Sequence, residues 1–244
     1  MNRLFYFIHK WVSAAAYIQL AIWTTTGFLF ATLSQDAMKS APVEGAHRGV
    51  IAAAPPISVA SALATVGTTV GEITKVELRG TAIGPFYVIT GDKGSARVDA
   101  RTGVSAPVTQ AEAEAAARRD QPNSPAVAQS ALISEAPPIE YRDGPLPTWR
   151  VSLADAAGTV VYVDATTGEV AQRHNDRWRL YDILWMLHVM DYKGRENFNN
   201  PLMVCAASLA VLTAYSGIVI LLIKVWRWGR RKRRMPANGL RQAA

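Results

Sequence analysis

Two long stretches without a charged residue lie near the ends of this 244-residue chain. The first runs from Trp11 to Leu33 and the second from Met203 to Ile223. Each has roughly 20 residues, which at about 1.5 Å of rise per residue matches a hydrocarbon core about 30 Å thick. Both stretches are therefore predicted to be transmembrane helices, and the segment between them is predicted to be a water-soluble domain.

The first stretch has a second interpretation as a secretory signal peptide, because Arg3 and Lys10 precede it as a basic region. Its apolar core is longer than that of most signal peptides, and no convincing small-x-small cleavage site follows Phe30. We therefore favour a retained N-terminal anchor.

The net charge of +7 is unevenly distributed along the chain. Residues 34–200 hold 16 basic and 19 acidic residues, and the remaining ten basic residues lie outside that segment without any acid. Lys and Arg stay on the cytoplasmic side of a membrane, which predicts cytoplasmic termini and places residues of about 35–200 on the opposite side of that membrane. The run "RWGRRKRR" is expected to attract anionic lipid and not nucleic acid.

The single cysteine, Cys205, lies in the second apolar stretch. The central segment therefore has no disulfide, no cysteine-ligated metal and no thiol nucleophile. It also lacks a glycine-rich phosphate loop after a strand, an HExxH motif and a defensible Ser-His-Asp set. Nucleotide binding is not expected.

A repeat organises the central segment. "VDARTGV" at 98–104 matches "VDATTGE" at 163–169 in five of seven positions, at an offset of 65. Alternating apolar residues around "GDKG" and "DAAG" upstream predict a β-hairpin in each copy. Asp99 and Asp164 are predicted to start turns by bonding to their own backbone, and this interpretation is preferred over a catalytic or metal-binding carboxylate.

A helix is predicted before each hairpin. Ser58 is the candidate N-cap of the first helix, and Thr109 with Glu112 forms a capping-box pattern at the second. Another strand follows each helix, at 72–80 and 125–135. In the second repeat "APPIEYRDGPLP" is rich in proline and polar residues, which predicts an exposed loop where partners could bind.

The predicted fold class is α+β, with two tandem αβββ units that each place a helix on an antiparallel sheet. The predicted boundaries are 1–34 for the N-terminal end and first membrane helix, 35–54 for a linker, 55–107 and 108–174 for the two units, 175–200 for an interfacial aromatic helix and loop, 201–226 for the second membrane helix, and 227–244 for a basic tail.

The repeated hairpin ending in "VDATTGEV", the "FIHKW" entry segment and the "LHVMD" segment before the last apolar stretch resemble the PepSY family with PepSY-associated transmembrane helices. The resemblance extends over nearly the whole chain. It implies a propeptide-like module that inhibits or regulates proteases. Larger members, with more membrane helices, are associated with bacterial iron, haem and siderophore uptake, and some are haem-carrying reductases. Only two spans are predicted here, so an autonomous reductase core is not implied.

Four histidines are candidates for chemistry. His47 and His174 lie in polar surroundings and are predicted to be solvated. His9 shares a helical face with Ser13 and Tyr17 at the predicted cytoplasmic interface. Both a ligand or proton-transfer role and simple interfacial anchoring stay open for His9.

The segment 177–192 holds the fourth histidine, His188. If it is helical, one face carries an aromatic progression around that histidine. One interpretation is an amphipathic helix at the outer membrane surface. The other is a haem pocket with His188 as axial ligand. The residues predicted on this face are Trp178, Tyr181, Trp185, His188 and Tyr192.

His9 and His188 are expected near opposite membrane faces, about 30 Å apart, so they cannot bind one iron together. A symmetric dimer could pair each histidine with its own copy, or Met186, Met190 or another subunit could complete the site of His188. A ridge of small residues could mediate that dimer or pack on the first helix of the same chain. This ridge comprises Ala206, Ala210, Ala214 and Gly217.

The leading functional prediction is therefore a haem-binding or accessory electron-transfer component of iron or siderophore uptake in the bacterial inner membrane, working within a ferric or siderophore reductase system. The alternative is a non-enzymatic module whose PepSY units bind and restrain an envelope peptidase. A third possibility is a passive scaffold for a membrane complex. The predicted partners are membrane lipid, a second copy or a larger membrane complex, and an envelope peptidase or iron-uptake components.

Overall fold

The computed structural model describes residues 3–32, 57–81 and 84–233. The predicted linker and His47 lie outside the described residues. Two compact units are present, residues 34–181 and residues 1–33 together with 182–244. The described elements are α1 Arg3–Thr32, α2 Val59–Val70, β1 Ile73–Gly80, β2 Pro85–Gly91, β3 Gly94–Asp99, α3 Gln110–Asp120, β4 Val127–Ile133, β5 Thr148–Leu153, β6 Val160–Asp164, β7 Val170–His174, α4 Asp176–Val189 and α5 Pro201–Arg233.

The first repeat is a three-stranded antiparallel sheet in the order β1-β2-β3, with α2 on one face. Alternate residues of the strands point at the helix, and the apolar ones among them form the core. The buried members are Ala62, Val66, Val70, Tyr87, Ile89, Val98 and Ala100. The predicted αβββ order is confirmed for this repeat.

The second repeat has the sheet order β4-β5-β6-β7, with α3 on one face. The prediction of three strands here is wrong, because β7 adds a fourth. In the first repeat the equivalent segment makes only one bridge, between Val98 and Ser105. In that segment the Arg97 side chain donates hydrogen bonds to the carbonyl oxygens of Ala106 and Pro107, at 3.0 and 3.1 Å. Pro107 also has no backbone N–H to donate to a neighbouring strand.

The two sheets repeat in detail as well as in order. A register shift separates Ile73 from Lys75 in β1, and another separates Val127 from Gln129 at the same place in β4. Both repeats therefore place a β-bulge at the start of the strand that follows the helix.

The helix caps form as predicted. The Ser58 hydroxyl accepts the Ser61 amide at 3.2 Å. Thr109 accepts the Glu112 amide, and the Glu112 carboxylate accepts the Thr109 amide at 2.7 Å. The capping box thus satisfies two amides that the first turn of α3 leaves unpaired.

The closing turns also form as predicted. The Asp99 carboxylate accepts the Arg101 amide at 2.7 Å, and the Asp164 carboxylate accepts the Thr166 amide at the same distance. Gly103 and Gly168 have φ values of 76° and 81°, which an L side chain rarely adopts. The repeated aspartates are therefore turn residues.

The loop 134–147 is only partly exposed, which corrects the prediction of a simple surface loop. Tyr141 is 3% exposed and stacks on Tyr162 with ring centroids 4.4 Å apart. The Tyr141 hydroxyl donates to the Pro145 carbonyl at 2.7 Å. This loop covers part of the sheet face opposite α3, which explains why four successive residues of β6 are buried.

One helix in the described part of the chain is long and apolar enough to cross a membrane by itself, over Pro201–Arg230 of α5. The helix α1 meets the same criteria only if Tyr6–Ala14 and Ala16–Thr32, which are bent by 41°, count as one span. The prediction of a membrane-spanning helix is thus supported for the second apolar stretch, and the first span stays a proposal.

The helices α1 and α5 pack against each other within one chain. The predicted ridge is partly wrong, because Ala214 is exposed and Thr213 is buried in its place. The half-buried or buried residues of this face follow helical spacing and are Ala206, Ala210, Thr213, Gly217 and Ile220. This agrees with the packing of the ridge on the first helix of the same chain, and the dimer stays a prediction.

Candidate functional site

His188 lies in the last turn of α4 and contacts α1. Its Nδ1 atom lies 2.7 Å from the Thr26 hydroxyl oxygen. Its backbone carbonyl accepts the Trp23 indole N–H at 2.8 Å. Phe30 meets the imidazole edge to face at 5.5 Å, and the Trp185 ring is roughly parallel to it at 6.5 Å. The imidazole is therefore held by one hydroxyl and two aromatic rings.

The end of α4 is fixed by residues that follow it. Met190 has a φ of 55°, and the left-handed conformation stops the helix there. The Asn200 amide donates to the Val189 carbonyl at 2.9 Å, and its Oδ1 accepts the Met203 amide at the N-terminus of α5. The predicted helical face does not extend to Tyr192, which lies beyond the helix and is exposed.

Asp191 organises the loop that begins after Met190. Its carboxylate accepts four backbone amides at 3.0–3.2 Å, donated by Lys193, Gly194, Glu196 and Asn197. These amides, with that of Asn197 foremost, lower the pKa of Asp191 to about 2. The carboxylate is therefore ionised at neutral pH and holds the loop closed.

The same loop is attached to α4 at a second point. Trp185 donates its indole N–H to the Arg195 carbonyl at 2.9 Å. The Arg195 guanidinium pairs with the Asp182 carboxylate, which is almost fully buried. Trp185 is thus oriented by the loop and by His188 together.

His9 lies at the other end of α1. Its Nδ1 atom lies 2.6 Å from the Ser216 hydroxyl oxygen of α5. His9 and Thr26 are 17 residues apart in α1. That separation corresponds to about 25 Å along a straight helix, so the His9 and His188 sites are well separated.

Both histidines share one local geometry. Each directs Nδ1 at a hydroxyl, and each Cε1 lies 3.9 Å from the position that a Cβ would occupy on a glycine, Gly27 for His188 and Gly217 for His9. Burial lowers the pKa of His188, which favours the neutral imidazole that a metal requires. An orienting bond to one ring nitrogen is also usual for a metal-bound histidine.

Phe30 and Trp185 are thus the aromatic residues beside the His188 imidazole. The described residues contain no group of three or more His, Cys, Asp or Glu side chains that could hold a metal ion. Tyr181 precedes His188 by about two turns of α4, and Tyr192 lies beyond the end of that helix and is exposed.

His174 is 4% exposed, which corrects the prediction that it is solvated. Its ring packs on Trp178 at 3.7 Å and on Tyr162 at 5.7 Å, and Nε2 lies 3.1 Å from Gln172 Oε1. The register of β6 and β7 places His174 and Gln172 on the sheet face opposite α3. The pattern "QRHND" appears polar in sequence, but the first turn of α4 covers this position.

A polar network crosses the same sheet face. Glu140 accepts the Tyr162 hydroxyl at 2.8 Å and the Arg179 Nε at 3.0 Å. Burial acts to raise the pKa of Glu140, but these two bonds outweigh it and the pKa is lowered. Burial, reinforced by Glu140, raises the pKa of Tyr162. The loop, β6 and the start of α4 are thereby joined through Glu140.

Sequence reasoning missed Thr26, Glu140 and the buried state of His174. Thr26 and His188 are 162 positions apart, and no spacing rule connects them. Glu140 lies in a segment whose composition predicts a loop, although the aromatic Tyr141 beside it was a sign of partial burial.

Comparison with protein families identifies one match. The family described as peptidase propeptide and YPEB domain, PepSY, matches residues 107–172. These residues comprise α3, the strands β4, β5 and β6, and most of β7. Comparisons with curated proteins and with solved structures return no match. A PepSY domain is therefore present in the second repeat, which is consistent with a propeptide-like or regulatory module.

Proposed function

We propose that this protein is a membrane-tethered regulator whose PepSY domain, at residues 107–172, binds and restrains an envelope peptidase. The PepSY match is the observation that carries the proposal, because its family description is that of a peptidase propeptide. The domain is a helix on an antiparallel sheet with a buried core, and its edge strand β4 is partly exposed, which supports a binding role.

The proposed location is the bacterial inner membrane. The apolar helix α5 supports it, and so does the basic run at the C-terminal end of that helix, which is typical of a cytoplasmic flank. The helix α1 would be the second span, with the segment from about residue 35 to 200 in the periplasm. The first repeat would then be a second PepSY-like unit beside the matched one.

Peptidase assays test the regulatory role. The full chain is produced at increasing levels in a bacterial host, and the hydrolysis of a labelled casein by envelopes isolated at each level is measured. Activity should fall with the full chain and should not fall with a variant that lacks residues 107–172. The variant His188→Ala is the matched control and should restrain the peptidase as well as the native chain. Equal restraint by the deletion variant, or no restraint by either, would contradict the proposal.

A second function is supported by the orientation of His188. We propose that a haem bound at His188 Nε2 serves electron transfer in iron or siderophore uptake. Haem supplies one-electron chemistry. Thr26 orients the imidazole, Trp185 and Phe30 lie beside it, and burial lowers its pKa, which favours the neutral form. His9 would be the ligand of a separate site at the other end of α1.

The second ligand of each haem would come from a second copy of the chain, or from Met186 or Met190 at the outer site. Met190 is almost buried directly after α4, and Met186 is half-buried within it. The electron donor and the ferric substrate would both be supplied by other components of the uptake system.

An absorption spectrum separates this function from the first. Protein purified after growth with adequate haem should show a Soret band and a reduced-minus-oxidised difference spectrum. The outer haem should be lost in His188→Ala and retained in His47→Ala. A native protein without a Soret band would exclude the haem function and leave the peptidase function untouched.

A further inference from the structure

The two sheets have four edge strands, and one of them differs from the rest. Because each sheet is open among the described residues, β1, β3, β4 and β7 each have one side on which no described strand pairs with them. Three of these strands carry charged residues, whereas β4 reads "VAQSALI" and carries neither a charge nor a proline. Charged residues and proline on an edge are the usual protection against pairing with another strand.

The register of the sheets makes the contrast specific. Val76 pairs with Ile89 in the first repeat, and Ser130 pairs with Val151 at the equivalent place in the second. The positions on either side then correspond one to one. The residues Lys75, Glu77 and Arg79 of β1 are replaced in β4 by Gln129, Ala131 and Ile133.

In β1 these charges pair with one another, since Glu77 binds both Lys75 and Arg79. Such a surface repels an apolar strand that would have to desolvate it. In β4 the equivalent surface is uncharged, and both Gln129 and Ala131 are exposed. Within the described part of the chain, no backbone hydrogen bond joins β4 to any strand other than β5.

A carboxylate lies beside the middle of this edge. Glu114 of α3 accepts the Ser130 hydroxyl at 2.6 Å and the Gln110 amide at 2.9 Å. These bonds, that of Ser130 first, lower the pKa of Glu114, which is therefore ionised at neutral pH. In a neighbouring strand, the residue opposite Ser130 would have its Cβ about 5 Å away, within reach of that carboxylate.

We propose that the free edge of β4 binds an extended segment of a partner protein as a fifth strand, with a basic or hydroxyl residue opposite Ser130. Main-chain hydrogen bonds would supply affinity, and Glu114 would supply selectivity. Apolar side chains of the segment would meet Leu132 on one face and Ile133 on the other. This inference rests on the proposed regulatory function, because it assigns the surface through which the PepSY domain contacts its partner.

A second copy of this chain fits the edge less well. Antiparallel pairing of two β4 strands about Ser130 would place two Glu114 carboxylates near the two-fold axis, each held there by its own Ser130. Like charges brought together across a sheet are destabilising. The same geometry favours a segment that carries a cation.

Peptide binding to the full chain in detergent micelles tests the proposal. The probe is a fluorescein-labelled peptide of seven residues, with alternating threonine and valine and a central lysine. Fluorescence polarisation measures its affinity. A second peptide of the same sequence is methylated on alternate backbone nitrogens, which removes the donors that strand addition requires. It should bind at least about tenfold more weakly.

Two protein variants locate the site. The variant Gln129→Lys with Ala131→Glu copies the equivalent residues of β1 onto exposed positions, so the fold should be retained, and affinity should fall at least about tenfold. The matched control, Ala64→Glu with Thr68→Lys, adds the same two charges to the exposed side of α2 and should leave affinity unchanged. The variant Glu114→Gln should abolish the preference for a central lysine over a central glutamate.

The proposal is overturned if the methylated peptide binds equally well, if the charged edge binds like the native edge, or if no peptide binds at about 1 mM. An edge variant that still restrains the peptidase would overturn the inference and leave the regulatory function intact. A chain that binds the peptide at β4 but restrains no peptidase would overturn the regulatory function and leave strand binding at β4 intact.

Discussion

The hydroxyl oxygen of Thr26 lies 2.7 Å from Nδ1 of His188, although 162 positions separate the two residues. The contact joins the helix that opens the chain to the helix that precedes the last apolar stretch. It places the imidazole in one orientation and leaves Nε2 without a hydrogen bond to any described residue. A regulator needs this contact only for stability, whereas a haem protein needs it for ligand orientation.

Replacing Thr26 by valine should expose which role the contact has. The substitution keeps the shape of the side chain and removes the hydroxyl, so the free energy of unfolding should fall by about 1 kcal/mol. Any haem spectrum should broaden or shift as well. The matched control is Thr24→Val, because the exposed Thr24 hydroxyl bonds only to the Leu20 carbonyl of its own helix. Detergent-solubilised protein monitored by tryptophan fluorescence provides the measurement, and equal effects of the two variants would contradict the prediction.

Tyr141 should be a major contributor to the stability of the PepSY domain. Its ring is buried against Tyr162, so Tyr141→Ala removes apolar contact and leaves a cavity. We expect a loss of about 3–4 kcal/mol in urea unfolding. The neighbouring Ile139 is 55% exposed, and Ile139→Ala should cost well under half as much. Similar losses for the two variants would show that the loop is not anchored through Tyr141.

The pair between Arg173 and Asp120 should also be sensitive. Asp120 is almost fully buried at the end of α3 and accepts Arg173 through Nε at 2.5 Å and through a second nitrogen at 2.7 Å. Asp120→Ala leaves a half-buried guanidinium without this carboxylate, and the expected loss is about 3 kcal/mol. The exposed pair of Lys75 and Glu77 is the control, and Lys75→Ala should leave the unfolding midpoint almost unchanged. A midpoint unaffected by Asp120→Ala would contradict the prediction.

The loop after α4 should depend on pH through Asp191. Because its pKa is lowered to about 2 in the folded protein, from about 3.9 in an unfolded chain, its stabilising effect is complete above about pH 4. The effect should be lost as the pH falls through about 2. The variant Asp191→Asn should therefore be less stable than the native chain at neutral pH and nearly equal to it at about pH 2. Trp185 fluorescence reports on the loop, and a constant difference at all pH values would contradict the assignment.

Local features of the fold were predictable because their bonds span only a few residues. The capping box of Thr109 and Glu112 and the turns at Asp99 and Asp164 each close within four positions. The two hairpins were also predictable from the repeat, because the two strands of each hairpin are neighbours along the chain. The strand β7 was missed because the first repeat, which served as the template, lacks it, and there the carbonyls after Ser105 bond to Arg97.

Part of the candidate site was predictable as well. The aromatic face of 177–192 correctly brought Trp185 to His188, since the two lie in one helix three residues apart. Tyr192 was misplaced because the aromatic periodicity does not show where the helix ends. The helix ends at the left-handed Met190, and that conformation depends on the loop that Asp191 organises.

The sequence by itself determined the alternation of apolar and polar residues, the helix caps, the turns that begin at Asp99 and Asp164, and the apolar length of α5. These features depend on neighbours along the chain. Only the tertiary structure decided that His174 and Tyr141 are buried, that Thr26 orients His188 and that β4 is an uncharged edge where β1 is charged. Such features depend on which distant segments become neighbours, and packing in three dimensions, not spacing along the chain, selects them.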